Sequence, residues 1–95
     1  QNIRTLHSKL FDVLKCNDCQ ICLDSAIEIL YKNTFILSER EQVVEDTKSP
    51  VVKEPFLLLL SYIYRTTERY NYHYPIDMLN AVRLSLLESL AIILN

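Results

Sequence analysis

Three cysteines spaced three residues apart, Cys16, Cys19 and Cys22, are the residues best suited to chemistry. Zinc and iron–sulfur sites use cysteine thiolates at such short spacings. Binding one metal with all three would require a loop, yet the chain has no glycine for a tight turn and no fourth cysteine. Cys19 and Cys22 also fit the apolar stripe of a helix, where free cysteines are commonly buried. We therefore expect structural thiols, no metal and no cofactor, with a metal-binding or redox module as the less favoured alternative.

A catalytic role has little support in the sequence. A cysteine nucleophile with His7 or His73 as its base would still lack a residue to orient the base and an oxyanion hole. The absence of glycine also excludes the P-loop, the dinucleotide fingerprint, the nucleophile elbow and the kinase glycine loop. We expect no catalytic residue, no small-molecule substrate and no enzymatic activity.

Charge and hydropathy limit the classes of partner. The net charge is −2 and acids and bases are interspersed, so no field that would attract nucleic acid or an anionic membrane is expected. The longest apolar stretch, residues 56–64, is far shorter than the roughly 20 residues that span a bilayer. Three cysteines without loop-rich flanks do not indicate a disulfide scaffold, which favours a reducing location. We predict an intracellular chain, cytoplasmic or nuclear.

Apolar spacing predicts four main helices and no sheet. Steps of three and four residues indicate a first helix from about Asn2 to Lys15 and a second that ends near Lys32. A third helix is predicted to begin at Pro55 and to end near Tyr70. Proline suits the first turn of a helix, where its missing amide is not needed. A last helix begins at Pro75, and we expect Leu84 and Leu87 to widen its buried face.

Residues 38–54 form a charged linker in this interpretation. Ser38 to Glu41 is a candidate capping box that would begin a short helix through Asp46, with a mobile loop as the alternative. The predicted fold class is therefore all-α, with three to five helices as two helical hairpins in a small bundle or a segment of a HEAT-like array. Residues 1–95 are expected to be one helical domain or a fragment of a larger one.

Leucines 57–60 point in four directions about 100° apart on a helix, so neighbouring helices of this chain are not expected to cover them all. Residues 65–75 add tyrosines and arginines, the types that dominate binding hot spots. The alternatives for this segment are tyrosines that pin a loop to the core and arginines engaged by Glu68. The predicted partner-binding residues are Leu58, Leu59, Tyr62, Tyr64, Arg65, Arg69, Tyr70, Tyr72, Tyr74 and Leu86.

These observations predict a structural and protein–protein interaction module of an intracellular assembly. Its partner would be another protein, flanking helices of a parent chain or a second copy. The main alternative is an obligate homodimer whose third and fourth predicted helices form a shared core.

Overall fold

The computed structural model describes residues 3–15, 19–69 and 73–95, without the side chains of residues 19–21. This part of the chain is all-helical and contains no strand, which confirms the predicted all-α class, but it has six helices where three to five were predicted. Its six helices are α1 (Ile3–Leu14), α2 (Cys19–Lys32), α3 (Thr34–Ser38), α4 (Arg40–Asp46), α5 (Pro50–Arg69) and α6 (Ile76–Leu94).

Helices α1 and α2 pack against each other as an amphipathic pair. Ile3, Leu6 and Leu10 are fully buried on one face of α1, and α2 contributes its own buried stripe from Leu23 to Leu30. Spacing by three and four residues places each set on one helix face. The backbone amide of Ile3 donates to Asp46 Oδ2 at 3.3 Å, so a carboxylate of α4 satisfies one of the free amides in the first turn of α1.

The predicted linker is largely helical in the structure. Val43 in α4 is fully buried in the common core, as are Ile36 and Leu37 of α3 just before the linker, so the α4 part of the segment is packed against the rest of the fold. Helix α4 ends at Asp46 as predicted, but the candidate capping box does not form. The N-cap of α4 is Glu39 rather than Ser38, and it makes no side-chain cap bond. The Ser38 hydroxyl donates instead to the Thr34 carbonyl at 3.0 Å, within α3.

Helix α5 begins at Pro50, so Pro55 lies inside it rather than in the first turn. The Ser49 carbonyl accepts from the amides of Val52 and Lys53 at 3.0 and 2.9 Å, which starts the helix five residues earlier than predicted. Pro55 and Val51, one turn earlier, are both exposed. The carbonyl that lacks a proline amide partner is therefore on the solvent side, where the loss of one helical bond is least costly.

Helix α6 lies at the centre of the fold and packs against α2, α3, α4 and α5. Val82 and Leu86 are fully buried in it, and they share one core with Phe56, Leu60 and Ile63 of α5. The hydroxyl of Ser89 donates to the carbonyl of Leu37, and both residues are buried, which ties α3 to α6. The chain thus covers one side of α5 and one side of α6. Within the described ranges, no helix has the length and apolarity needed to cross a membrane.

Two leucines on α5 test this division between core and surface. Leu60 is fully buried and Leu58 is 72% exposed. We expect Leu60→Ala to lower the free energy of unfolding by about 2–5 kcal/mol through lost burial and a residual cavity. Leu58→Ala, the matched control in dilute protein, should change it by about 0.5 kcal/mol or less. Urea denaturation followed by circular dichroism measures both, and equal losses would contradict the assigned orientation of α5.

Candidate protein-binding surface

The outer face of α5 carries apolar residues at one end and arginines at the other. We define it by residues that alternate steps of four and three and are all exposed: Val51, Pro55, Leu58, Tyr62, Arg65 and Arg69. The buried residues Phe56, Leu60 and Ile63 lie on the opposite side of the helix. This face therefore offers apolar contact area beside two guanidinium groups.

A groove between α1 and α5 continues this apolar area. It has a volume of about 490 Å³ and is lined by His7, Phe11, Pro55, Leu58 and Leu59. The His7 ring contacts the buried Phe56 edge-on with a centroid distance of 6.0 Å and lies 6.1 Å from Phe11. Phe11 is 52% exposed, and the Lys15 ammonium lies 4.8 Å from its ring centroid. The groove is thus open, apolar and braced by a core aromatic ring.

The outer face of α6 is a second exposed stripe, on the side away from the core. It consists of Ile76, Asn80, Leu84, Leu87, Ala91 and Leu94, all exposed, with Asp77 beside its first residue. Ile76 and Leu94 are 72% and 70% exposed and lie at opposite ends of the helix. Apolar side chains therefore reach solvent along the whole length of α6.

Arg83 joins α5 to α6 between these faces. Its guanidinium lies 4.1 Å from the Tyr64 ring centroid and donates to the Thr67 hydroxyl at 2.6 Å and the Tyr64 carbonyl at 3.3 Å. It also pairs with Glu68 at 3.2 Å. Thr67 is fully buried, so this cluster satisfies a polar group at the edge of the core while it fixes the two helices side by side.

The structure brings together four of the predicted partner-binding residues, Leu58, Tyr62, Arg65 and Arg69, on the outer face of α5. Leu59 is half-buried and lines the groove. Glu68 pairs with Arg83 rather than with the arginines of its own helix. Among the described residues, Arg65 and Arg69 pair with no carboxylate, and Arg65 donates only to the Ser61 carbonyl.

The other predicted residues lie elsewhere. Leu86 is fully buried in the core, because its position on α6 faces α5 and the rest of the core rather than solvent. Tyr64 lies under Arg83, and the Tyr74 hydroxyl donates to Asp24 Oδ1 at 2.7 Å. Tyr74 therefore ties the start of the α6 segment to α2, as the loop-pinning alternative states. Tyr70 and Tyr72 lie outside the described residues.

Sequence reasoning missed the outer face of α6. Leu84 and Leu87 were expected to widen the buried face of the last helix, but they are 60% and 44% exposed. Helix α6 is apolar on nearly all sides, so its sequence does not show which side faces the core. The residues from Asn80 to Leu94 that lie four, three, four and three positions apart form this face, and their spacing can be read from the sequence. Phe11 was missed because a single aromatic residue next to a stripe usually belongs to it.

The cysteines also differ from expectation. Cys22 is 3% exposed and disulfide-bonded, whereas a free buried thiol was expected. Cys16 and the side chain of Cys19 lie outside the described residues. In the part of the chain with described side chains, no group of three metal-ligating residues could hold a metal ion.

Comparisons with known proteins give no relative to this chain. No protein-family model, curated protein or solved structure matches it.

The Arg83 cluster can be tested by removing its charge. We expect Arg83→Met to lower the free energy of unfolding by about 1–3 kcal/mol, because Thr67 and Glu68 lose a charged hydrogen-bond partner and Tyr64 loses its cation. Arg65→Met, whose guanidinium is exposed and contacts only its own helix, is the control and should be nearly neutral. Urea unfolding of both variants measures the difference. Similar values would show that the Arg83 cluster does not stabilise the helix pair.

Proposed function

We propose that this chain is a structural and protein–protein interaction module that binds a partner protein through the outer faces of α5 and α6. The observation that carries the proposal is Leu58, 72% exposed beside the half-exposed Phe11 in an apolar groove. Single exposed leucines are ordinary, but contiguous apolar patches on soluble proteins commonly mark interaction sites. Here the patch continues from the groove along the apolar part of the outer face of α5, from Val51 to Tyr62.

The chemistry of the outer face of α5 limits what fits it. Leu58 and Tyr62 call for apolar side chains, and one or two turns later Arg65 and Arg69 call for acceptors or a carboxylate. Both faces are straight rows on helices, which favours a partner helix whose side chains interdigitate with them. The proposed partner therefore presents a helix with leucine-type side chains followed by acidic or amide groups.

Flanking helices of a longer parent chain are a second candidate partner. Helices α5 and α6 pack as a hairpin, and in stacked helical repeats each hairpin buries its outer faces against the next one. An apolar outer face on both helices of one hairpin fits that arrangement. In such an array the contacts would lie within one molecule, so dilution would not separate them.

Replacement of Leu58 by glutamate tests the proposed function. We expect Leu58→Glu to reduce co-purification of bound proteins from the native cells by at least about tenfold, because a buried unpaired carboxylate is costly at an interface. The bait is the full-length protein, and a differently tagged second copy is scored together with every other protein. The fold should be retained, because Leu58 is mostly exposed.

Val44→Glu is the matched control for this experiment. Val44 is an exposed apolar residue on α4, away from the outer faces of α5 and α6, so the same charge is introduced at a different surface. Binding should persist in this variant. If Leu58→Glu keeps the helical spectrum and also keeps every association of the wild type, the outer face of α5 is not the binding surface.

A further inference from the structure

We infer that the partner is a second copy of this chain, with the outer face of α5 packed antiparallel against the outer face of α6 of the other copy. This inference rests on the proposed function, since it names the occupant of the same surface. It is carried by three features of the described residues: matched spacing, complementary charge and sufficient area.

The two faces have the same repeat and the same length. On α5 the positions from Val51 to Arg69 alternate steps of four and three residues. On α6 the row used for this alignment begins at Asp77, which is exposed beside Ile76, and continues through Asn80, Leu84, Leu87 and Ala91 to Leu94 in alternating steps of three and four. Such spacing is typical of helices that pack knobs into holes over several turns. At 1.5 Å per residue each face is about 26 Å long, so the two rows can match from end to end.

Antiparallel alignment of the two rows gives one register. Position by position, the pairs are Val51 with Leu94, Pro55 with Ala91, Leu58 with Leu87, Tyr62 with Leu84, Arg65 with Asn80 and Arg69 with Asp77, the second of each pair being in the other copy. Apolar residues meet apolar residues in four of these pairs. The remaining two place a guanidinium opposite an amide oxygen and a carboxylate. Glu54 on α5 and Glu88 on α6 are exposed beside these rows.

Other alignments of the same faces do not pair the charges. In a parallel alignment Asp77 would lie opposite Val51, and Arg69 opposite Leu94. Two α5 faces packed antiparallel on each other would place Arg69 opposite Val51 and Arg65 opposite Pro55. Charged groups covered without a partner are costly, so both alternatives are disfavoured. The outer face of α5 lacks acids and that of α6 lacks bases, which makes each face the complement of the other.

The hairpin geometry allows this contact to close. Arg83, in the first half of α6, reaches Tyr64 and Glu68 near the end of α5, so the helices run antiparallel within one chain. A two-fold axis parallel to the helices then places each α5 on the α6 of the other copy in the same register. The contact occurs twice and leaves no outer face open for further growth. Four helices meet as in a small bundle.

The area is sufficient for a specific contact. Two neighbouring helices, each about 10 Å wide and 26 Å long, present roughly 500 Å² in projection per copy. The two copies together would bury about 1,000 Å², which reaches the lower limit for specific interfaces. This projected area does not include the extra surface of protruding side chains. The groove beside α1 lies at the edge of this contact.

Charge reversal at the Arg69–Asp77 pair tests the partner and the register together. We expect the full wild-type chain to sediment as a dimer. Arg69→Asp and Asp77→Arg should each weaken self-association roughly fivefold or more, because either change puts like charges opposite each other twice per dimer. An equal mixture of the two variants should regain the wild-type affinity as a heterodimer. Mixing cannot relieve a repulsion within one chain, so recovery identifies a contact between copies.

Leu84→Glu is a second variant that separates association from folding. Leu84 is 60% exposed, so the helical spectrum should persist while the dimer dissociates. A wild-type chain that stays monomeric up to about 100 μM would overturn the inference. So would unchanged association of both charge variants, or a mixture no stronger than either alone. If the chain is monomeric but Leu58→Glu still removes a bound protein, only the second-copy inference fails; if nothing is removed, the proposed function fails as well.

Discussion

The burial of one side of α6 is the constraint on which the rest of the fold depends. Val82, Leu86 and Ile93 provide the surface that four other helices pack against, and Phe56, Leu60 and Ile63 of α5 join the same core. A chain of 95 residues encloses little volume, and covering a long helix on all sides requires neighbours all around it. The short helices α3 and α4 pack against the buried side of α6, and their residues Ile36, Leu37 and Val43 are buried there. None of the six described helices covers the outer side.

The apolar outer faces are a direct consequence of this arrangement. Helix α6 is apolar on nearly every side, so burial of any one stripe leaves leucines in water on the opposite side. Full burial of one leucine contributes about 1.5–3 kcal/mol, and small domains are stable by only about 5–15 kcal/mol in total. Several exposed leucines in two rows therefore represent a large stabilisation that only contact with another protein surface would provide.

Arg83 determines how the two rows are presented. Arg83 contacts Tyr64, Thr67 and Glu68. Glu68, the acid of α5 nearest to Arg65 and Arg69, is therefore paired with Arg83. The outer face of α5 is left basic as a result. Asp77, in the first turn of α6, is the acid on the neighbouring row. The outer face of α5 thus carries two arginines, whereas an aspartate lies beside the outer face of α6.

Much of the helical architecture follows from local patterns. The three-and-four spacing in α1 and α2 identified both helices and their buried sides, because polar residues occupy the remaining positions. Pro50 and Pro55 are equally good first-turn residues, so the sequence did not decide between them; the bonds from the amides of Val52 and Lys53 to the Ser49 carbonyl start α5 at Pro50. Ile36 and Leu37 lie in the short helix α3, which packs against α4 and α6 and buries both side chains.

For the binding surface, the sequence by itself determined the composition: leucines around α5, arginines and tyrosines at its end, and too few helices to cover them. It identified Leu58, Tyr62, Arg65 and Arg69, which share one exposed face. Only the tertiary structure decided that Leu86 is core and that Leu84 and Leu87 are surface. A helix that is apolar all round carries no amphipathic signal, so the side that faces the core is chosen by the neighbours that pack against it and not by its own residues.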